Sequence, residues 1–201
     1  MRAVGFKEFG DPEVLEVMDI PEVYANQGEI RIKNYASAVN PTDIVSRSGL
    51  IAQFRKDYPL PAVPGMDISG IVDQVGEGVE TGVSIGDQVM GMVIPNSLHG
   101  AYSEQITLNQ FAVVKAPKGF SFVESATLPM NGLTARLSLD LLNLTKGQVV
   151  AVTGGPGAYG GYVIQLAKAD GLIVIADSNE SDIELLRCLL YTSPSPRDAH
   201  K

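Results

Sequence analysis

Apolar and polar residues alternate over Glu29–Val39, where Ile30 and Ile32 share one face while Arg31 and Lys33 share the other. A period of two is typical of a strand with one buried face. Six further short apolar segments predict strands: Ala3–Phe6, Leu15–Met18, Gly70–Val75, Gln88–Val93, Tyr102–Leu108 and Ala112–Lys115. Short strands separated by glycine turns are typical of a small barrel or sandwich.

The periodicity changes after Pro117–Gly119. Ser121 and Glu124 have the spacing of a capping box, and Leu133, Leu137 and Leu141 then repeat at helical spacing. An apolar strand, a glycine-rich turn, a helix and a second apolar strand follow, at Val149–Thr153, 154–161, Gly160–Ala169 and Leu172–Ala176. This order predicts a βαβ unit with parallel strands. The fold class is therefore mixed, with a β-rich domain over residues 1–120 and an α/β domain that begins at residue 121.

The glycine-rich turn predicts a dinucleotide site. Residues 154–161 hold five glycines in eight positions, and Gly155, Gly157 and Gly160 satisfy G-x-G-x-x-G. Glycine allows a tight turn, close approach of a pyrophosphate and close packing of helix on strand, and the helix N-terminus then offers free N–H groups. The predicted binding residues are Gly154, Gly155, Gly157, Ala158, Tyr159 and Gly160, with Asp177 and Ser178 after the second strand. The alternative is a purely structural loop with Asp177 facing solvent.

Asp177 bears on the choice between two dinucleotides. It follows Gly155 by 22 residues, close to the spacing of an acid that binds a ribose hydroxyl. An acid at this position favours the free 2′-hydroxyl of NAD over the 2′-phosphate of NADP. The sequence leans towards NAD and leaves both NADH and NADPH open.

The last fourteen residues differ in character from the rest. A nucleotide string that resembles the transposon-end adapter used to prepare sequencing libraries would encode Cys188–Asp198 in frame. We therefore interpret residues 188–201 as an artefactual tail, and 121–187 as the start of a domain that is cut off. The alternative is an exposed, disordered C-terminal tail.

Composition and charge exclude several classes of protein. Apolar residues make up 45% of the chain and charged residues 19%, which is typical of globular proteins. The net charge of −8 argues against nucleic acid as a partner, and no apolar run is long enough to span a membrane. The single cysteine and the lack of a signal peptide favour a reducing, cytoplasmic location.

Taken together, the motifs of residues 1–187 resemble the medium-chain dehydrogenase/reductase superfamily, in its zinc-free, quinone-oxidoreductase-like (enoyl reductase domain) branch. The segments that carry this resemblance are Val39–Asp43 with Arg47, Pro61–Asp67, Gly86–Gly91, Gly100–Glu104, Ala126–Pro129 with Thr134, and Val152–Lys168. The resemblance implies a GroES-like first domain and a Rossmann second domain with a substrate cleft between them. It also implies hydride transfer from NADPH or NADH to a quinone, an enone or a similar conjugated acceptor.

The same resemblance predicts that no metal is bound. Zinc-dependent relatives carry ligands where this chain has Asn40 and Met66, and His99 is the single histidine before the tail. One imidazole does not make a zinc site, so His99 is expected to be a loop or surface residue.

Asn40 and Thr134 are the candidate catalytic residues, as lining of the cleft, and the resemblance places Thr134 beside the nicotinamide. The alternatives are a turn residue before Pro41 and an ordinary helix hydroxyl. No dedicated acid or base is identified.

Four other residues are expected to be structural: an ion pair joins Asp43 to Arg47, and Met130 and Leu133 pack in the core. Tyr102 is expected on the outer face of a strand, and Tyr159 either shields the pyrophosphate or packs on the sheet.

Alternative functions remain open. The same fold could reduce an enoyl thioester, or it could hold a dinucleotide as a sensor without turnover. The 201-residue chain is itself expected to be an inactive fragment. The expected partner is a small-molecule substrate, and a homodimer is compatible with the full-length protein.

Overall fold

A computed structural model describes residues 1–54 and 59–191. These residues divide into two compact units, with the boundary between Met130 and Asn131. The strands are β1 (Arg2–Gly5), β2 (Glu16–Asp19), β3 (Glu29–Ala36), β4 (Asp67–Val75), β5 (Gln88–Met92), β6 (Gln105–Asn109), β7 (Val113–Lys115), β8 (Val149–Val152) and β9 (Ile173–Ala176). The α-helices are α1 (Pro41–Arg47), α2 (Phe122–Ala126), α3 (Pro129–Leu142), α4 (Ala158–Ala169) and α5 (Ile183–Tyr191). Among these residues, no helix combines the length and the apolar character that crossing a membrane requires.

The first unit is built on a five-stranded antiparallel sheet in the order β6–β3–β4–β5–β7. The predicted alternation in β3 is confirmed, because Ile30 and Ile32 are fully buried while Lys33 is exposed. Ile68 of β4 and Val89 of β5 complete the centre of this core. Every predicted strand of the first unit is present, with ends that differ by a few residues.

One predicted strand starts later than expected. Tyr102 lies before β6 rather than in it, because the backbone of residues 102–104 pairs with β1. The Val4 amide donates to the Tyr102 carbonyl at 2.8 Å, and Ala3 forms a bridge with Ser103. The prediction that Tyr102 faces outward from a strand is therefore wrong.

The second unit contains the predicted βαβ arrangement. Strands β8 and β9 are parallel, with Val150 opposite Val174, and α4 connects them. One face of this sheet packs against α4, where Ile164 and Ala167 are fully buried. The other face is open: the exposed side chains are Val149, Ala151, Ile173 and Ile175.

The helical segment after Ser121 is two helices rather than one. The capping box is confirmed, since the Ser121 amide donates to the Glu124 carboxylate and the Glu124 amide donates to the Ser121 hydroxyl. It starts the short helix α2, and α3 then begins at Pro129. The core-facing residues of α3 are Ala135 and Leu139, whereas Leu133 is 55% exposed. The expectation that Leu133 packs in the core is wrong, because α3 buries a different face, the one that carries Ala135 and Leu139.

Helix α5 crosses the boundary proposed at Arg187. It continues through Cys188 to Tyr191, and Leu189 and Leu190 pack against the core of the second unit. A short apolar run would pack there whatever its origin, so the artefactual origin of residues 188–201 stays a prediction. Residues 192–201 of that tail lie outside the described part of the chain.

Candidate functional site

The glycine-rich loop joins the carboxyl end of β8 to α4. The Gly154 backbone is left-handed, with φ of +67°, which favours glycine. The Gly157 amide donates to the Gly154 carbonyl at 2.9 Å, and the Gly155 amide donates to the Asp177 carbonyl at 3.1 Å. These bonds fold the loop into a tight turn held against the end of β9.

Two of the glycines are required by close packing within the protein. A Cβ at Gly160 would lie 2.4 Å from the Gly154 carbonyl oxygen and 3.0 Å from the Gly155 Cα. A Cβ at Gly155 would lie 3.1 Å from the Ala176 Cβ and 3.2 Å from the Asp177 carbonyl oxygen, at the end of β9. The structural reason for glycine in the sequence motif is therefore present here: helix, loop and strand approach too closely for a side chain.

The N-terminus of α4 is open to an anion. Its cap is Gly157, in extended backbone with φ −66°, and no side chain caps the helix. The first-turn amides, of Ala158, Tyr159 and Gly160, have no acceptor within the helix. Ala158 and Tyr159 are exposed, so an approaching group can reach this end. A pyrophosphate fits such a terminus, because the aligned peptide dipoles favour negative charge there.

Not every amide of the loop is available to phosphate. The Gly157 N–H already binds the Gly154 carbonyl, and Pro156 has no N–H to offer. The donors that remain lie in the first turn of α4 rather than in the loop before it. The phosphate donors are therefore not the amides of the loop glycines, as the glycine motif alone would suggest.

Tyr159 has a role that neither interpretation of the sequence anticipated. Its hydroxyl donates to the Ser138 hydroxyl at 2.7 Å, and Ser138 in turn donates to the Thr134 carbonyl at 2.8 Å. This chain joins the start of α4 to α3, and thereby connects two of the predicted cofactor-binding residues. Ser138 was missed because helical spacing alone does not show which hydroxyl faces a neighbouring helix.

Asp177 and Ser178 follow β9 directly. The Asp177 Oδ1 accepts a hydrogen bond from the Gly154 amide at 2.6 Å, while the residue itself is exposed. The Ser178 hydroxyl oxygen is buried and has no hydrogen-bond partner among the described residues. The structure thus brings Asp177 to the glycine loop, as the sequence spacing predicts.

Asn40 belongs to the first unit, where it precedes α1 and is 5% exposed. Its amide nitrogen Nδ2 donates to the Asp67 Oδ2 at 2.6 Å. The other oxygen, Oδ1 of Asp67, accepts from the backbone amide of Met130, also at 2.6 Å. Asp67 is fully buried; this burial raises the pKa of its carboxyl, and the two hydrogen bonds oppose the rise. Sequence reasoning missed Asp67 as a partner of Asn40, because 27 residues separate them.

Asp43 does not pair with Arg47 as expected. Its carboxylate accepts hydrogen bonds from the backbone amide of Asn40 at 2.8 Å, the backbone amide of Gly65 at 2.9 Å and the Tyr102 hydroxyl at 3.2 Å. Arg47 instead donates to the Gly10 carbonyl. The predicted ion pair is wrong, since the buried carboxylate is used to hold three separate segments together. Burial, followed by the charge and hydrogen bond of Asp43, raises the pKa of Tyr102.

Within the described residues, no group of three or more histidine, cysteine, aspartate or glutamate side chains is placed to hold a metal ion. His99 is half-buried in a turn closed by its backbone bridge to Asn96, and this burial lowers its pKa. The absence of zinc stays a prediction.

Comparison with known proteins identifies the family. The model of the alcohol dehydrogenase GroES-like domain matches residues 26–134. The chain belongs to the alcohol dehydrogenase GroES-like domain family. Family membership confirms the resemblance to the medium-chain dehydrogenases/reductases, and named relatives place the chain in the quinone-oxidoreductase-like branch.

Two relatives and one solved structure illustrate this placement. The chain is 34% identical over 200 residues to the 2-methylene-furan-3-one reductase of Solanum lycopersicum, covering 94% of this chain and 50% of that protein. It is 32% identical over 200 residues to the chloroplastic NADPH-dependent alkenal/one oxidoreductase of Arabidopsis thaliana, with the same coverage. The quinone oxidoreductase of Coxiella burnetii superposes with a TM-score of 0.81 at 34% identity, covering 94% of this chain and 60% of that one. The chain therefore spans about half the length of the curated relatives it matches.

Proposed function

We propose that the full-length protein is an NAD(P)-dependent oxidoreductase that reduces a quinone, an enone or a similar conjugated acceptor. The observation that carries this proposal is the glycine loop, which leads from the carboxyl end of β8 into the open N-terminus of α4. Ligands of parallel α/β sheets bind at this end of the strands. The named activities of the relatives support the choice of acceptor.

The protein's own part in the reaction is binding and orientation. A bound nicotinamide dinucleotide would supply the hydride. The first-turn amides of α4 bind the pyrophosphate, and Asp177 lies where the ribose hydroxyls are expected. Asn40 and Thr134 stay predicted cleft residues. Two-electron reduction of the acceptor also consumes one proton, which we assign to water because no dedicated acid is identified.

The proposed chemistry does not use zinc. Asn40 directs its Nδ2 hydrogens at Asp67, and the Thr42 hydroxyl donates to the Met66 sulfur at 3.1 Å. These groups satisfy one another without a metal. Metal analysis of the full-length protein should show far less than one zinc per chain, and chelators should leave its activity unchanged. Stoichiometric zinc that is lost together with activity would refute this point.

Substitution of Gly157 tests the proposed site. In Gly157→Val, the Cβ would lie 3.1 Å from the Gly154 oxygen, and the branched side chain would stand at the cap where a pyrophosphate must approach. We expect dinucleotide binding, measured by calorimetry, to weaken at least about tenfold, or about 1.4 kcal/mol.

The matched control is Gly132→Val in α3, where an added Cβ meets no atom within 4 Å. It should leave the affinity within about twofold.

A panel of acceptors then separates the alternatives. Turnover of quinones or enones supports the proposal, turnover of enoyl thioesters alone supports the thioester reductase, and binding without turnover of any acceptor supports a sensor. The homodimer stays a prediction, to be checked by the mass in solution.

A further inference from the structure

We propose that His99 makes the loop of residues 93–102, here called the His99 loop, sensitive to acid. When the imidazole takes up a proton, the loop loosens its contact with residues 63–66. The inference concerns the first unit alone and does not rest on the proposed function. Three features carry it: the cavity around the ring, the charges near that cavity and the backbone hydrogen bonds of the loop.

The imidazole of His99 lines a mainly apolar cavity of about 190 Å³ in the first unit. The apolar lining includes Met1, Ile20, Leu98 and Ile106, and the polar side chains of the lining, Ser103 and Gln105, carry no charge. Among the described residues, the half-buried ring has no hydrogen-bond or ion-pair partner. A neutral imidazole tolerates such surroundings, whereas an imidazolium loses hydration there without gaining a partner.

The charges near the cavity do not supply that partner. Burial lowers the pKa of His99, and the charge of Glu29 on β3 opposes this only in part. Met1, in the lining, carries the terminal ammonium, which has the same sign as an imidazolium. Arg31 donates to a carbonyl of the same lining at 3.0 Å, and its charge is paired with Asp73 at 2.8 Å. The folded state therefore favours the neutral ring.

Backbone hydrogen bonds on both sides of His99 hold the loop along residues 63–66. The Val63 amide donates to the Ser97 carbonyl at 2.8 Å, and the Ala101 amide donates to the Gly65 carbonyl at 3.0 Å. Because His99 lies between Ser97 and Ala101 in the chain, movement of the ring into solvent pulls on both bonds. Protonation of the ring is thereby coupled to opening of the loop.

The backbones in this contact also approach very closely. A Cβ at Gly100 would lie 1.9 Å from the Val63 carbonyl oxygen and 2.6 Å from that of Pro64. Such a contact cannot shift sideways to make room for a hydrated imidazolium, so the loop relieves the charge by opening.

Opening of the loop reaches the buried polar groups around Asn40. The Gly65 amide donates to the Asp43 carboxylate at 2.9 Å, and the Tyr102 hydroxyl donates to the same carboxylate at 3.2 Å. These two donors lie on the two segments that separate when the loop opens. Asp43 also accepts from the backbone amide of Asn40 at 2.8 Å, so acid pH weakens the hold on the start of α1.

The direction of the pH effect follows from the lowered pKa. The stability that neutral His99 contributes is fully present above its unfolded pKa of about 6.5 and is lost as the pH falls through the folded value. Hydrogen exchange of the full chain, measured on peptides from residues 93–102 and corrected for the free-peptide rate, tests this. Protection should fall at least about fivefold between about pH 7.5 and about pH 5.5.

His99→Leu fills the same space with a side chain that never carries charge. In this variant, protection of the loop should fall less than about twofold over the same pH range. Other groups that titrate in this range are present in both chains, so the difference isolates His99. The matched control is His200→Gln, which removes the other histidine of the chain and should keep the wild-type fall within about twofold.

An equal fall in wild type and His99→Leu would overturn the inference. The wild type alone provides a second test if the variant does not fold. Titration of the two histidines by nuclear magnetic resonance, assigned with His200→Gln, should place the midpoint of His99 below the usual value of about 6.5. A midpoint at or above that value would also overturn it.

Discussion

The two units bury their sheets in different ways. In the first unit, five antiparallel strands pair with one another, and Ile30, Ile32 and Ile68 have no exposed surface. In the second unit, two parallel strands are covered on one face, while Val149 is 53% and Ile175 61% exposed on the other. Parallel sheets are normally buried on both faces, so the second unit presents an apolar surface that the first does not.

This difference matters because the glycine loop lies in the less buried unit. The loop is held by hydrogen bonds to the end of β9, so its geometry depends on a sheet of two strands. Stability varies across a protein, and regions with less apolar burial open more readily. We therefore expect the affinity for a dinucleotide to follow the stability of the second unit rather than that of the first.

The largest expected effect is a contrast in hydrogen exchange. Amides of β3 and β4, at the centre of the five-stranded sheet, should exchange at least about 100-fold more slowly than those of β8 and β9. This ratio corresponds to about 2.7 kcal/mol of opening free energy. Mass spectrometry of exchanged peptides makes the measurement. Equal protection of the two sheets would show that the open face does not weaken the second unit.

A pair of helical glycines tests the packing of the loop. Gly160→Ala places a Cβ 2.4 Å from the Gly154 carbonyl oxygen and should lower the free energy of unfolding by about 2 kcal/mol. Gly132→Ala has open space around its Cβ and should raise that free energy by about 0.5 to 1 kcal/mol. Urea unfolding monitored by circular dichroism separates the two. Equal effects would mean that the loop can shift away from α4.

Asp67→Asn probes the buried carboxylate of the first unit. Because Asp67 accepts from both Asn40 and Met130, the amide can satisfy only one of these donors, and we expect a loss of about 1 to 2 kcal/mol at neutral pH.

The pH dependence gives a second readout of the same variant. Burial raises the folded-state pKa of Asp67, so the stability that this residue contributes is present below its unfolded pKa of about 3.9 and is lost as the pH rises through the folded value. The stability of the wild type relative to Asp67→Asn should fall over that range. Asp87→Asn is the control, because the pKa of Asp87 is shifted in the opposite direction. Its pKa is lowered by hydrogen bonds from Lys115 and Ser84, so the stability it contributes is lost as the pH falls. Parallel pH profiles for the two variants would contradict the prediction.

The smallest expected effect concerns the connection between α4 and α3. Tyr159→Phe and Ser138→Ala each remove one partner of the 2.7 Å hydrogen bond. A double-mutant cycle should give a coupling free energy of about 0.5 to 1 kcal/mol, since the bond is partly exposed. Strictly additive effects on unfolding would show that the bond does not stabilise the second unit.

Local pattern was sufficient for much of the fold. The strands of both units, the capping box at Ser121 and the glycine loop follow from periodicity and turn chemistry within a few residues. The approach of Asp177 to the loop also follows, because the first and second strands of a βαβ unit end on the same side of the sheet. In each case the interactions that decide the structure join residues close in sequence, or residues in a motif with fixed connectivity.

Tertiary structure alone decided the contacts of the buried polar residues. Asp67 accepts from Met130, 63 residues away, and Asp43 uses its carboxylate on Gly65 and Tyr102 instead of on the nearer Arg47. A buried carboxylate must be satisfied by whichever donors the fold brings to it, and neither spacing nor composition shows which these are. The same reason applies to Leu133, since helical spacing does not show which face of α3 packs, and the buried face is the one that carries Ala135 and Leu139. The sequence by itself determined the elements and the position of the loop; the choice of buried partners was made by packing between segments far apart in the chain.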